Sequence, residues 1–479
     1  MTELPVSVSA APEPFGASAD LASTSPLMAL SPLDGRYARQ AADLRLYFSE
    51  FALMRYRFMV EIEWLIFILT ELDLASAPKL DPGQTALLRS WVAAFDERDA
   101  LAVKRSELKT RHDVKAVEYF IGEKLSGTGL AELIPFVHLC CTSEDINNVS
   151  HAHMLRDGLR EVWAPALERC IAALVQCARG SVDTPMLSRT HGQPASPTTM
   201  GKELAVFVHR LRRQAEQLRA QNYLVKFSGA VGNFNAHQAA YPEIDWRAAS
   251  ARFLRGFGLE PNPITTQIEP HDYMAEIFGL IVRVNSILID LDRDIWSYVS
   301  LGYLRQRLYE GEVGSSTMPH KINPIDFENS EANAGLSTAI LAHLATKLPI
   351  SRMQRDLSDS AAIRAVGTGI GHGLLALKAC LAGLDKIDVD EQALRADLER
   401  NWAVLGEAIQ TVMRKHGVED AYEQIKAATQ TQQLDAAAIR RLLERTSIPE
   451  PDRSRLISLT PAGFIGAAAE IGRAVLDRE

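Results

Sequence analysis

The chain has 479 residues, 47% of them apolar and 23% charged, a balance that excludes disordered and collagenous classes and supports a large buried core. Its 51 Lys and Arg against 60 Asp and Glu leave a formal net charge of −9. That is mild and of the wrong sign for a general nucleic-acid or membrane-surface binder, though local basic clusters for a phosphorylated metabolite are compatible with it. Five cysteines, odd in number and without CxxC spacing, argue against a disulfide framework or a zinc site and for a reducing, cytoplasmic setting.

In chain order, residues 1–28 are rich in Ala, Ser and Pro and hold no Arg before Arg36. They predict a disordered tail rather than a signal or transit peptide. The strongly apolar stretch 64–69 is far too short to cross a bilayer. Thr142 with Asp145 three residues on reads as a capping box, opening an apolar-periodic run to about residue 178. Ser196 as a cap and Pro197 in the first helical position predict the start of a further helix. Its Leu204, Val208, Leu211, Ala215 and Leu218 recur at helical spacing. Residues 272–309 run without proline, and Ile277, Ile281, Val284, Ile287, Leu288, Leu291 and Ile295 keep helical period. Helical throughout, that segment would be roughly 57 Å long, a length typical of an elongated bundle. No alternating strand blocks, dinucleotide fingerprint or P-loop occur. The expected fold is all-α, with three helical domains: 29–131, a long central bundle over 132–384, and 385–479.

Three loop-like stretches hold the reactive side chains. GEVGSSTMPHKINP, residues 311–324, gathers Ser315, Ser316, His320, Lys321 and Asn323 directly after the long helix. Backbone N–H groups, a Lys and an Asn suit carboxylate oxygens, and an activated hydroxyl can take a proton. SRTHGQPASP, residues 188–197, places His191 between Thr190 and Gln193, which can orient its ring for acid–base work. RHD, residues 111–113, adds His112. Ser360 and Arg364 share a helix face near Arg355, either as a solvated surface with Asp356 and Asp359 or as a phosphate clamp. His138 with Cys140 and Cys141, and His151 with His153, are ligand-rich in composition. They lack zinc spacing and fall on predicted helices, so no metal is expected.

Residues 314–324 resemble the signature loop of the fumarase–aspartase superfamily, whose members eliminate fumarate or a close relative. His320 and the continuation IDFENSE, residues 325–331, are similar to the bacterial adenylosuccinate lyase family within it. SPLDGRY (31–37), CTSEDINN (141–148) and RTHGQPA (189–195) fit in order, so the likeness runs from about residue 29 to the end. The resemblance implies Ser315 as general base, removing the proton beside the succinyl carboxylate, and His191 as general acid for the departing nitrogen. It assigns Lys321 and Asn323 to the succinyl carboxylates and the carbanion. Arg36, Tyr37, Arg355, Ser360 and Arg364 go to the nucleotide and its phosphate. His112, Asp113, Thr142, Ser143, Gln267 and Asn329 are further substrate contacts. The chain departs from the family pattern at 111, where Arg stands in place of Asn.

The implied activity is elimination of fumarate from adenylosuccinate, giving AMP, and from SAICAR, giving AICAR, in purine nucleotide biosynthesis. It needs neither cofactor nor metal. The resemblance further implies a homotetramer whose sites each draw on three subunits, with no nucleic-acid or membrane partner. Argininosuccinate lyase, fumarase or aspartase activity is disfavoured by His320 and the 326–329 continuation. A non-catalytic structural protein on the same scaffold is disfavoured by retention of Ser315, His191 and Lys321.

Overall fold

The computed structural model describes residues 26–431 and 435–478. The tail predicted over 1–28 lies outside the described residues as far as residue 25, and Pro26–Met28 form a single 3-10 turn. Helix α1 (Glu50–Thr70) starts on Ser49, whose hydroxyl accepts the Ala52 N–H. It is apolar nearly all round and buries Phe58, Ile62, Trp64 and Ile68, as a helix surrounded by others must. Helices α2 (Pro82–Ala93) and α3 (Glu97–Thr110) open with capping boxes on Asp81 and Asp96, and α4 (Asp113–Gly127) follows.

Helix α5 (Ser143–Gly158) begins at the predicted box, with the Thr142 N–H donating to the Asp145 carboxylate at 2.8 Å. A π turn, Leu159–Trp163, carries it into α6 (Ala164–Gly180). Pro165 at the start of α6 explains that turn, because it removes one helical donor. Helix α7 (Met200–Arg219) begins later than predicted. Thr198 and Thr199 pair with Met186 and Pro185 in a short antiparallel ladder, so extended backbone continues past Pro197. Thr199 rather than Ser196 is the cap, accepting the Lys202 N–H at 3.2 Å.

Helix α8 (Asp272–Ser300) has 29 residues and is about 44 Å long, shorter than the expected run to 309. Gly302 at φ +73° turns the chain, and Leu304–Gln306 then pairs antiparallel with Ile387–Val389. Helices α9 (Ile325–Lys347) and α10 (Val366–Leu384) complete the bundle with α6, α7 and α8. α9 and α10 approach closely where Gly383 meets Phe327, since a Cβ there would come within 2.6 Å of the ring. Ser358–Leu384 is long and apolar enough to cross a membrane by length and composition, which the 64–69 stretch is not. Its most apolar window is 67% buried inside the fold, as a core helix is.

Past the bundle, α11 (Glu391–Glu399) and α12 (Gly406–Lys415) lead into a smaller helical unit. That unit has its own core of Leu405, Ile409, Met413, Ile439, Leu443 and Leu456. Ala468–Leu476 returns to pack on α7.

Candidate active site

A cavity of about 260 Å³ opens between α1, α4, α5 and the segment before α10, lined among others by His112, Asp113, Arg355, Ser360 and Arg364. Three of its arginines, Arg57, Arg355 and Arg364, are held by carboxylates. Arg57, buried on α1, meets Asp113 at 2.8 Å and donates to Asn147 at 2.9 Å. Arg364 reaches Glu50 at 2.7 Å and Asp113 at 3.2 Å. The Arg355 guanidinium lies 3.0 Å from Glu144, 3.1 Å from the Gln267 amide oxygen and 3.1 Å from Ser360 Oγ. Such forks are fixed before any ligand arrives.

Burial opposes ionisation of Asp113, but Arg57 above all, with the Val114 N–H and Arg364, outweighs it and holds the carboxyl below its ordinary range. Burial raises Glu144 despite Arg355 and His271. His151, on the same wall, is pushed down to about 3 by burial and then by Arg57, His271 and Arg364, so its ring stays neutral.

Thr142 and Ser143 stand at the head of α5, next to Glu144. Their loop is locked by Asp145 and Lys226, which pair at 2.8 Å with both side chains fully buried. Asp145 also accepts the Ser228 N–H at 2.9 Å. Arg111 takes φ +51°, a left-handed conformation in which Asn is far better tolerated than a long side chain. Arg57, Glu144, His271, Asp359 and Lys226 are absent from the expected site. Arg57 had a visible signal, a cation among the apolar residues of α1, and Glu144 lay inside the CTSEDINN block.

Glu144, His271 and Asp359 place ligand atoms within 4.8 Å of one another, and both ring nitrogens of His271 are buried without hydrogen-bond partners. A cation could be held there by proximity alone, but the Arg355 guanidinium already occupies the Glu144 carboxylate. The ligand-rich pairs of the sequence are engaged separately. His138 Nδ1 lies 2.6 Å from Glu61, and His153 Nδ1 lies 2.9 Å from Arg156.

The remaining assigned residues lie elsewhere. His191 is at the exposed tip of a hairpin in which Arg189 pairs with Pro194 and Thr190 with Gln193. Ser315, Lys321 and Asn323 lie in the loop before α9. There Ser315 Oγ accepts the Met318 N–H at 3.2 Å and the Asn323 N–H donates to Gly314 O at 3.3 Å. Tyr37 donates to Asn329 at 3.4 Å, and Arg36 stacks over the Tyr37 ring at 5.8 Å. Among the described residues, no hydrogen bond or ion pair joins these three groups to the Arg355 cavity. One chain therefore brings together His112, Asp113, Gln267, Arg355, Ser360 and Arg364, with Thr142 and Ser143 beside them, and does not bond the rest to that cavity.

A lyase family profile matches residues 35–337, and an adenylosuccinate lyase C-terminal profile matches 351–465. Adenylosuccinate lyase of Vibrio cholerae is 49% identical over 93% of this chain and 98% of its own. That of Escherichia coli K12 is 48% identical with the same coverage. Among solved structures, a 3-carboxy-cis,cis-muconate lactonizing enzyme from Pseudomonas putida matches with TM-score 0.72 at 22% identity, over 91% of this chain and 96% of that one. A fumarate lyase from Mesorhizobium sp. BNC1 matches with TM-score 0.73 at 19% identity, over 91% and 98%. These structural likenesses bear on the fold alone, and they agree with the expected all-α, fumarase/aspartase-like architecture. With near-half identity along almost its whole length, the chain belongs to the adenylosuccinate lyase family of the fumarase/aspartase superfamily.

Proposed function

We propose that the chain catalyses the adenylosuccinate lyase reaction, releasing fumarate from adenylosuccinate and from SAICAR to give AMP and AICAR. The observation that carries this reading is the 49% identity over 93% of the chain to an enzyme of that name. In the proposed mechanism, Ser315 Oγ takes the proton alpha to a succinyl carboxylate. The dianionic intermediate is met by Lys321, Asn323 and loop N–H donors aimed at its oxygens. His191 gives a proton to the departing nitrogen, and the C–N bond breaks. Arg355, Ser360 and Arg364, with Arg36 and Tyr37, take the nucleotide and its phosphate. His112, Asp113, Thr142, Ser143, Gln267 and Asn329 complete the contacts. No step moves electrons to an acceptor or activates water, so neither cofactor nor metal is called on.

That neither His191 nor Ser315 is bonded to the Arg355 cavity within one chain supports assembly. The bundle leaves Val206, Trp296 and Leu336 between 39% and 49% exposed on α7, α8 and α9, apolar side chains that a second copy packed on these helices would cover. The reading is completed by a homotetramer with each site drawn from three subunits, working in the cytoplasm. The test is a steady-state assay of the purified protein on both succinylated purine intermediates, following purine absorbance and fumarate. Turnover of argininosuccinate, malate or aspartate with none of either purine substrate would overturn the assignment.

A further inference from the structure

The hairpin that carries His191 has two paired residues on each leg, too little ladder to hold a side chain still by itself. What steadies it lies outside. Arg189, at its base, donates through Nη1 to the Tyr303 hydroxyl at 2.6 Å and through Nη2 to Asp397 Oδ2 at 2.6 Å. Tyr303 donates to the same carboxylate oxygen, and its side chain is almost wholly buried. Arg400 and Asn401 fill the other Asp397 oxygen at 3.1 Å and 3.3 Å. Burial and then the carboxylate push the Tyr303 hydroxyl up to about 12. Burial opposes Asp397, but Tyr303, Arg189 and Arg400 outweigh it and keep the carboxylate ionised. The hairpin's exit is tied to the same C-terminal unit, because Ser196 donates to Glu407.

Tyr303 also belongs to the other half of the chemistry. It leads directly into Leu304–Gln306, and its carbonyl accepts the Asp390 N–H at 2.8 Å. Three residues on, the Gln306 amide donates at 2.8 Å to Ile322 O, inside the loop of Ser315, Lys321 and Asn323. The hairpin and the loop are therefore both tied to the segment 303–306, the one through the Tyr303 hydroxyl and the other through the Gln306 amide.

We propose that Arg189, Tyr303 and Asp397 form a positioning joint that sets the His191 hairpin and the stem of the Ser315 loop together. The proposal rests on His191 and Ser315 being the acid and the base. A fork and a hydroxyl converging on one carboxylate fix direction as well as distance, and misplacing a reacting group by about 1 Å can cost about a hundredfold in rate. None of the three residues is proposed to touch substrate.

The test is hydrogen exchange read by mass spectrometry on the full chain, together with kinetics. Tyr303→Phe removes one hydroxyl and keeps the buried ring. It is expected to speed exchange at 188–196 and at 305–324 together. Arg189→Lys, a change on the hairpin alone, is expected to loosen the distant loop as well. Each variant should lower kcat about tenfold with KM within about twofold. Asp397→Asn repeats the test where Tyr303→Phe does not fold. Loosening confined to the segment that carries the change overturns the joint, as does loosening of both segments with kcat unchanged. A wild-type chain without purine-substrate turnover would strike the assigned reaction, while the exchange arms would still decide whether the two segments are coupled.

Discussion

Arg355 meets Glu144, Gln267 and Ser360 at once, and its Nε is buried with no hydrogen-bond partner. An unmade buried donor costs about 1–3 kcal/mol, and a phosphate oxygen in the cavity would relieve that cost. Lys offers a point charge where this site uses a planar fork. Arg355→Lys is therefore expected to lower kcat/KM at least tenfold, mainly through KM, with the fold kept. Unchanged kinetics for this variant and for Arg364→Lys would remove the phosphate clamp. Ser315→Ala should behave in the opposite way, losing several orders of magnitude in kcat while substrate still binds, since the hydroxyl acts only in the transition state. If Ser316→Ala were the crippling change instead, the base would be the wrong member of the pair. The two kinds of residue were unequally legible. Ser315, Lys321 and His191 stand in short loops whose composition is chemical on sight. Arg57 and Lys226 are cations inside largely apolar segments, and their partners Asp113 and Asp145 lie far away in sequence.

The helices themselves were legible from spacing, and their ends only in part. Thr142 and Asp145 make their capping box within four residues, so local sequence carried it. The start of α7 depends on Thr198 and Thr199 pairing with Met186 and Pro185. The end of α8 depends on Leu304–Gln306 finding Ile387–Val389. Both are long-range pairings that no helical period reports. Periodicity also passes over Asp292, a carboxylate on the buried face of α8. It is 2% exposed, both its oxygens lack hydrogen-bond partners, and Ser330 and Cys380 face it. Burial pushes it up to about 8, from an ordinary value of 3.8. Between those values the folded chain holds a proton that the unfolded chain has released. Stability is thus undiminished below the lower value and drains as pH rises toward the higher one, by about 1.4 kcal/mol per pH unit. Asp292→Asn keeps the shape and cannot ionise. It should stabilise little at pH near 4 and increasingly toward pH 8, read as a shift in urea midpoint at constant slope. A gain that does not grow with pH would mean that Asp292 is ionised and paired in the fold.

At the scale of the molecule, the site is divided by the architecture. The Arg355 cavity lies between α1, α4 and α5, His191 precedes α7, and Ser315 follows α8; among the described residues no hydrogen bond or ion pair joins either group to the cavity, and the two meet each other only through the Arg189–Tyr303 joint and Gln306. Both groups stand off the Arg355 cavity within one copy, whereas bundles packed from several copies can bring the hairpin of one chain and the loop of another to a common place. The hypothesis is that His191 and Ser315 of one site come from different chains. A His191→Ala protein and a Ser315→Ala protein, each inactive alone, can be mixed in equal amounts, dissociated and reassociated. Random assembly would restore both groups in roughly a quarter of the sites, and activity near that fraction of wild type is expected. Mass measurement of the mixed oligomers must confirm that subunits have exchanged. If they have exchanged and no activity returns, both residues belong to one chain. The loop before α9 would then have to fold back onto its own hairpin when substrate binds, and the shared-site reading fails.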